Sequence, residues 1–263
     1  MGKRIRLLAM LLSVAMLVSL TLSCSLPGLP SAGDVVPGEE APAGQLPAEE
    51  TPPPRADYPF EMDTAGLENL DSYSYTFRLD GLSTMQGGVE ELHLSIEGKR
   101  QVAPSRAEHL LFHSTSDGDV QDTELTYLEE LGKMWIKEGQ GDWQEMPAVD
   151  QSMLQIFDAF SFRFWWDAVF AGDPDKAQYA GEEAINGVPA SHYTNTDPAF
   201  LGSVVSGCTF SSFGDDIWVA VDGNFPVKRE LNAEANCQGE SGSFNLYMEI
   251  RDVNQPLDIK PPV

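Results

Sequence analysis

From Ser72 to Leu79 the chain reads SYSYTFRL, with Tyr73, Tyr75, Phe77 and Leu79 alternating against Ser72, Ser74, Thr76 and Arg78. A period of two with aromatic enrichment predicts a strand with one buried face. After the Gly87-Gly88 break, Leu92, Leu94 and Ile96 alternate with His93, Ser95 and Glu97, and the two runs are expected to pair as antiparallel neighbours. Strand-like runs continue at Ala107 to Ser114, Glu124 to Glu130, Lys133 to Lys137, Ala190 to Thr194, Asp216 to Val221, Val227 to Ala235 and Ser243 to Asp252. Turns such as Gly139-Gln140-Gly141-Asp142 and Asp222-Gly223-Asn224 separate some of them. The runs imply a mostly antiparallel sheet of about 8 to 11 strands.

One region follows a different period. Between Gln151 and Phe170, Met153, Leu154, Phe157, Phe160, Phe164 and Ala168 recur at helical intervals, and Gly172 with Pro174 supplies a stop. Phe160, Phe162, Phe164, Trp165 and Trp166 put aromatic rings on every side of this helix. A helix that is apolar all round is buried or touches something else. A short helix over Thr64 to Leu70 is expected to feed the first strand. Helices packed on one face of an antiparallel sheet define an α+β fold class.

The first residues carry a different signal. Lys3, Arg4 and Arg6 precede an uncharged apolar run from Leu7 to Leu22, which ends at Ser23-Cys24. That run is shorter than the roughly 20 residues a comfortable membrane span needs, so residues 1–23 are expected to be a cleaved export signal. Cys24 resembles a lipobox cysteine, the lipid attachment site that takes palmitate-type acyl chains; ordinary secretion and an uncleaved anchor are the alternatives. From there to residue 57 the chain is Pro, Gly, Ala and Glu with almost no large apolar residue. Such a segment buries too little surface to fold and would serve as a tether reaching at least roughly 30 Å. Residues 58–263 are enough for one substantial core.

Charge narrows the partners. The chain carries 41 acidic and 16 basic residues, a formal net charge of −25, and loss of the three basic residues in the signal moves it to −28. Nucleic acid is excluded as a partner, because too few cations remain to release counterions from phosphates. The same charge repels an anionic bilayer, so the acyl anchor must hold the protein there. Solubility explains this acidity better than cation binding, since no acidic group matches an EF-hand loop.

With Cys24 spent on lipid, Cys208 and Cys237 remain. An even count in an exported chain points to one disulfide, with two separate thiols as the alternative. No chemistry of catalysis is visible: the chain lacks a G-x-S-x-G elbow, an H-E-x-x-H pair, a P-loop and a dinucleotide-binding glycine motif. Of the four histidines, His109 and His113 would share a strand face with no third ligand nearby. No metal, cofactor or catalytic residue is therefore expected.

Four phrases, in order, resemble exported lipoproteins of the LppX and LprG type, which are relatives in fold of the lipoprotein carrier LolA. They are GKMWIKEGQGDWQEM, ending in Met146; GEEAINGVPASHY, from Gly181; DIWVAVDGNFPVKREL, from Asp216; and DVNQPLDIKPP, from Asp252. The resemblance implies a strongly curved antiparallel sheet, a half-barrel, with helices covering its concave face and an apolar cavity between. Tyr73, Tyr75, Phe77, Leu92, Leu94, Phe112, Leu246 and Met248 would line that cavity from the sheet. Phe157, Phe160, Phe164 and Trp165 would line it from the helical lid. It would hold a hydrophobic ligand, a lipid acyl chain or a lipoprotein anchor, although the same stripes also fit a filled core. The expected protein is a lipid-anchored carrier at the outer, extracytoplasmic face of a cell membrane. The alternative is a surface or spacer lipoprotein that acts by contact with an envelope protein and binds no small molecule.

Overall fold

The computed structural model describes residues 64–85, 88–116, 118–146, 151–169, 177–198, 208–237 and 240–262. Cys24, the signal segment, the tether and the Gly172-Pro174 stop lie outside these residues. The described strands are β1 (Ser72–Met85), β2 (Gly88–Gln101), β3 (Ala107–Ser116), β4 (Asp119–Leu128), β5 (Lys133–Glu138), β6 (Gln144–Glu145), β7 (Gln178–Ile185), β8 (Val188–Asn195), β9 (Cys208–Ala220), β10 (Pro226–Cys237) and β11 (Glu240–Arg251). Two α-helices, α1 (Gln151–Ala159) and α2 (Phe162–Val169), separate β6 from β7, and Ala65–Asn69 and Glu129–Leu131 form short 3-10 turns.

All eleven strands belong to one open antiparallel sheet, in the order β6-β5-β4-β3-β2-β1-β11-β10-β9-β8-β7. The chain makes two meanders, β1 to β6 and β7 to β11, and closes them into one sheet by pairing its first strand with its last. In that seam Tyr75 sits opposite Ile250, Phe77 opposite Met248, and Leu79 opposite Leu246. Side-chain alternation then carries the Tyr73, Tyr75, Phe77 stripe across the sheet to Ile96 on β2, Leu110 on β3, Leu125 on β4, Leu231 on β10 and Ile217 on β9. Phe77, Ile96, Met248, Ile250, Val227 and Leu231 on this face are wholly buried.

The nine expected strands are all present, with three differences. β7 was not expected, because its sequence QYAGEEAI has no apolar alternation; most of it is exposed at the edge of the sheet. It is held by a two-residue hairpin in which Asn186 and Gly187 both adopt positive φ, 51° and 82°, the geometry that matches strand twist. The two-residue β6 was likewise not expected. The run expected from Glu124 to Glu130 stops at Leu128, where Glu129–Leu131 turns and Gly132, at φ 59°, ends the turn in the left-handed region that glycine adopts freely.

The helix expected across Gln151 to Phe170 is two helices, broken at Phe160-Ser161. Ser161 causes the break: its Oγ accepts the Phe164 backbone N–H at 3.1 Å and donates to the Asp158 carbonyl at 2.7 Å. A serine in this position caps the helix that follows, a role it fills better than the interior of a long helix. Among the described residues, no helix is long and apolar enough to cross a membrane.

Candidate functional site

The apolar face of the sheet meets α1 and α2 ring against ring. Phe157 lies 6.3 Å from Tyr127, Phe160 5.2 Å from Phe112, Phe162 6.3 Å from Tyr75, and Trp165 4.5 Å from Phe77, measured between ring centroids. Phe162 stacks on Trp166, and Phe164 meets Trp165 edge-on. Consecutive residues of a helix point about 100° apart, so the FRFWW run spreads its rings: Phe162, Trp165 and Trp166 are buried, Phe164 is half-buried, and Arg163 faces out.

Polar contacts fasten both helices at their margins. Tyr75 Oη donates to the Phe160 carbonyl at 3.0 Å. The Thr64 hydroxyl lies 3.1 Å from both Asp167 oxygens, and Arg163 pairs with Glu68 beside it. Asp158 lies 3.3 Å from Arg106 and 3.7 Å from Arg100, and both arginines flank Glu108. Burial pushes the Glu108 carboxyl up from its ordinary value, against the pull of the two arginines. Burial also raises the phenols of Tyr73 and Tyr75, the latter well above the usual range.

Most of the expected ligand residues come together on this face. Tyr73, Tyr75, Phe77, Leu94, Leu246 and Met248 are buried there, with Phe157, Phe160 and Trp165 over them and Phe112 half-buried alongside. Leu92 stands apart: it shares the face through its register with Gly81 but is 41 % exposed. Around it the stripe continues beyond the rows that the helical rings touch, through Phe244, Phe213 and Phe210, all half-buried. Phe210 and Phe213 meet edge-on at 5.8 Å.

The face also holds a group that alternation alone does not reveal. Arg229 and Asp215, both fully buried, form a two-pronged pair with Nε–Oδ1 at 2.9 Å and Nη2–Oδ2 at 2.6 Å. The Arg229 guanidinium sits 5.7 Å from the centre of the Trp166 ring. Burial pushes the Asp215 carboxyl up while Arg229 draws it back. The available signal was the inward position of Arg229 between Val227 and Leu231, a place where a lone cation demands a buried anion. The neighbouring Asp216 points to the opposite face and meets His192 at 3.0 Å.

On that opposite face each of the four histidines meets a carboxylate: His93 with Asp80, His109 with Glu124, His113 with Asp122, and His192 with Asp216. Among the described residues, no group of three or more histidine, cysteine or acidic side chains could hold a metal ion. Two surface cavities open on this side. One of about 350 Å³ is lined by Lys99, His109, Glu124, Trp143 and the terminal Asp258 to Lys260 stretch; one of about 250 Å³ lies around Leu111, His113 and Asp122. Cys208 and Cys237, directly opposite each other at the ends of β9 and β10, are joined by a disulfide.

Neither a protein-family model nor a curated protein matches the chain significantly. Among solved structures it is similar to the lipoprotein LppX of Mycobacterium tuberculosis, with 16% identity and a TM-score of 0.37, over 76% of this chain and 94% of that one. It is similar to LprF of Mycobacterium bovis at 13% identity and a TM-score of 0.40, over 78% and 95% of the two chains. A domain described as an outer-membrane lipoprotein-sorting protein, from Vibrio parahaemolyticus, gives 10% identity and a TM-score of 0.18, over 70% and 87%. LppX is a lipoprotein of the type that the sequence phrases resemble.

Proposed function

We propose that this protein is an exported lipoprotein, anchored through Cys24 at the outer face of a membrane, that carries an acyl-chain ligand against the apolar face of its sheet. Residues 24–57 act as the tether and residues 58–263 as the carrier domain, in which the sheet curves around the ligand and α1 and α2 close over it. The observation that carries this reading is an apolar stripe that outruns its helical cover, from the tightly packed Phe77 row to the exposed Leu92 and the half-buried Phe244, Phe213 and Phe210. A soluble protein rarely leaves such a stripe without an occupant.

The cover is fastened in a way that suits opening. Apart from the hydrogen bonds made by Tyr75 and Thr64, the polar latches described are ion pairs near the surface, among them Arg163 with Glu68 and Arg106 with Asp158. Pairs of this type contribute roughly 0 to 1 kcal/mol each; what holds the helices down is the burial of Phe157, Phe160, Phe162, Trp165 and Trp166, and an acyl chain that takes the place of those rings against the sheet would offset its loss.

The test is native mass spectrometry of the full chain released from mild detergent, followed by organic extraction. The expected result is a discrete lipid adduct beyond the mass of the anchor, together with displacement of a fluorescent fatty acid. A chain without an adduct that also binds no fluorescent fatty acid overturns the proposal. Anchoring is checked separately by metabolic labelling with palmitate, which Cys24→Ala should abolish while moving the protein out of the membrane fraction.

A further inference from the structure

Across the apolar face, Phe77, Met248, Arg229 and Ile217 form one row of cross-strand neighbours, and Leu79, Leu246, Leu231, Asp215 and Asn195 form the next. Trp165 lies against Phe77 with its ring tilted by 30°, and Trp166 lies against Arg229, the two residues that flank Met248 in register. Trp165 is 4 % exposed, Trp166 1 % and Asn195 3 %. Among the described residues, the Nε1 atoms of both tryptophans and Nδ2 of Asn195 find no hydrogen-bond partner.

A buried polar group left unpaired costs about 1 to 3 kcal/mol, and here three fall on two adjacent rows. All three are donors. The acceptors among them are engaged: both Asp215 oxygens bind Arg229, and Asn195 Oδ1 accepts the Asp197 backbone N–H at 2.7 Å.

We propose that Trp165 and Trp166, with Asn195 at the end of the next row, form a polar subsite that donates hydrogen bonds to the ester carbonyls of the acyl ligand. This rests on the carrier reading above and names the ligand class within it: acyl chains in ester linkage. An ester carbonyl accepts, carries no charge and brings no donor of its own. A free carboxylate finds no loose cation here, because Asp215 holds the guanidinium of Arg229 in two-pronged fashion. A hydroxyl or ammonium head group would add donors to a row already rich in them. Two indoles, set against the two residues that flank Met248, provide separate donors, which suits a ligand with more than one ester.

The experiment compares dioleoyl phosphatidylcholine with its diether analogue, which has the same chains and head group but methylenes in place of the two carbonyls. Both are titrated into the full chain in mild detergent, with binding followed by equilibrium dialysis and by the indole N–H resonances. The diester is expected to bind about tenfold more tightly, the worth of roughly one such hydrogen bond. The Trp165 and Trp166 resonances should move with the diester alone, while that of Trp218, whose Nε1 already donates to Glu183 at 2.7 Å, stays in place. In Trp165→Phe and Trp166→Phe the ratio of diester to diether affinity should fall toward one. Equal binding of the two lipids to the unaltered chain, with unmoved indole resonances, overturns the subsite and leaves the carrier reading standing. If neither lipid binds, the carrier reading falls and the subsite with it.

Discussion

The ring of Tyr75 occupies the space directly over Gly98, its cross-strand partner on β2: a Cβ at Gly98 would collide with the ring and its hydroxyl. With no side chain in the way, the phenol leans across β2 and donates to the Phe160 carbonyl at the end of α1. The bare Cα of Gly98 thus makes room for the contact of Tyr75 with α1. Gly98→Ala is expected to displace Tyr75 and destabilise the fold by about 1 to 3 kcal/mol, the usual cost of overpacking. Tyr75→Phe, which keeps the ring and loses the bond, should cost about 1 kcal/mol. A double-mutant cycle with Tyr75→Ala, followed by urea denaturation, isolates the contact: the penalty of Gly98→Ala should largely vanish once the ring is gone, and an undiminished penalty would refute the arrangement.

The buried pair of Arg229 and Asp215 makes a second, asymmetric prediction. Asp215→Ala leaves a fully buried guanidinium without its two-pronged partner and should cost about 3 to 5 kcal/mol. Replacing both residues with apolar ones of similar volume, Arg229→Met with Asp215→Leu, should recover most of that loss, because desolvation of the two charges disappears along with their attraction. Thermal unfolding of the single and double variants decides it. A double variant as unstable as Asp215→Ala would show that the pair is needed for more than mutual neutralisation.

How far the sequence could be read follows from which side chains alternate. SYSYTFRL and Leu92, Leu94, Ile96 announced β1 and β2 because a buried stripe forces apolar residues to every second position, and the closing strand β11 was visible for the same reason. β7 obeys no such constraint at its exposed edge, so QYAGEEAI carries no period. The rings of the helical region were legible as an aromatic cluster, but the division between α1 and α2 was not, because a periodicity count overlooks the cap made by one serine hydroxyl. Arg229 showed only as an inward cation between Val227 and Leu231; that its anion is Asp215, and that Asn195 falls beside that pair, depends on register between β8, β9 and β10, which no local window contains.

Cys208 and Cys237 face each other where β9 and β10 end, with a sequence separation of 29 residues. In the chain-entropy account, a loop of that length restrains the unfolded chain by about 3 to 4 kcal/mol. The paired replacement Cys208→Ala with Cys237→Ala is therefore expected to lower stability by that amount in denaturant unfolding. Amide exchange should accelerate most at the β9 and β10 ends that the bond holds. A loss below about 1 kcal/mol would mean that the unfolded chain is already restrained there by other means.

His109 gives the fold a dependence on pH whose sign can be worked out. Its Nδ1 lies 3.0 Å from the Thr126 hydroxyl and its Nε2 3.5 Å from Glu124, and Lys99 stands opposite it in register. Lys137 also approaches Glu124, at 3.6 Å, and the side chains of Trp143, Asp258 and Lys260 line the same cavity. Burial is the largest influence and lowers the imidazole from its ordinary value; Glu124 opposes it and Lys99 reinforces it. A histidine lowered in the folded state binds its proton less readily there than in the unfolded chain. Its stabilising contribution is then present above the unfolded value of about 6.5 and is lost as pH falls through that value and then through the folded one. Stability measured from pH 8 to pH 5 should include this decline, and the difference between the native chain and His109→Gln should isolate it from the other titrating groups. Lys99→Met removes a repelling charge and should raise the His109 midpoint seen by NMR, whereas Glu124→Gln removes an attracting one and should lower it. A midpoint that moves the same way in both variants would mean that solvent access, and not these two charges, controls the imidazole.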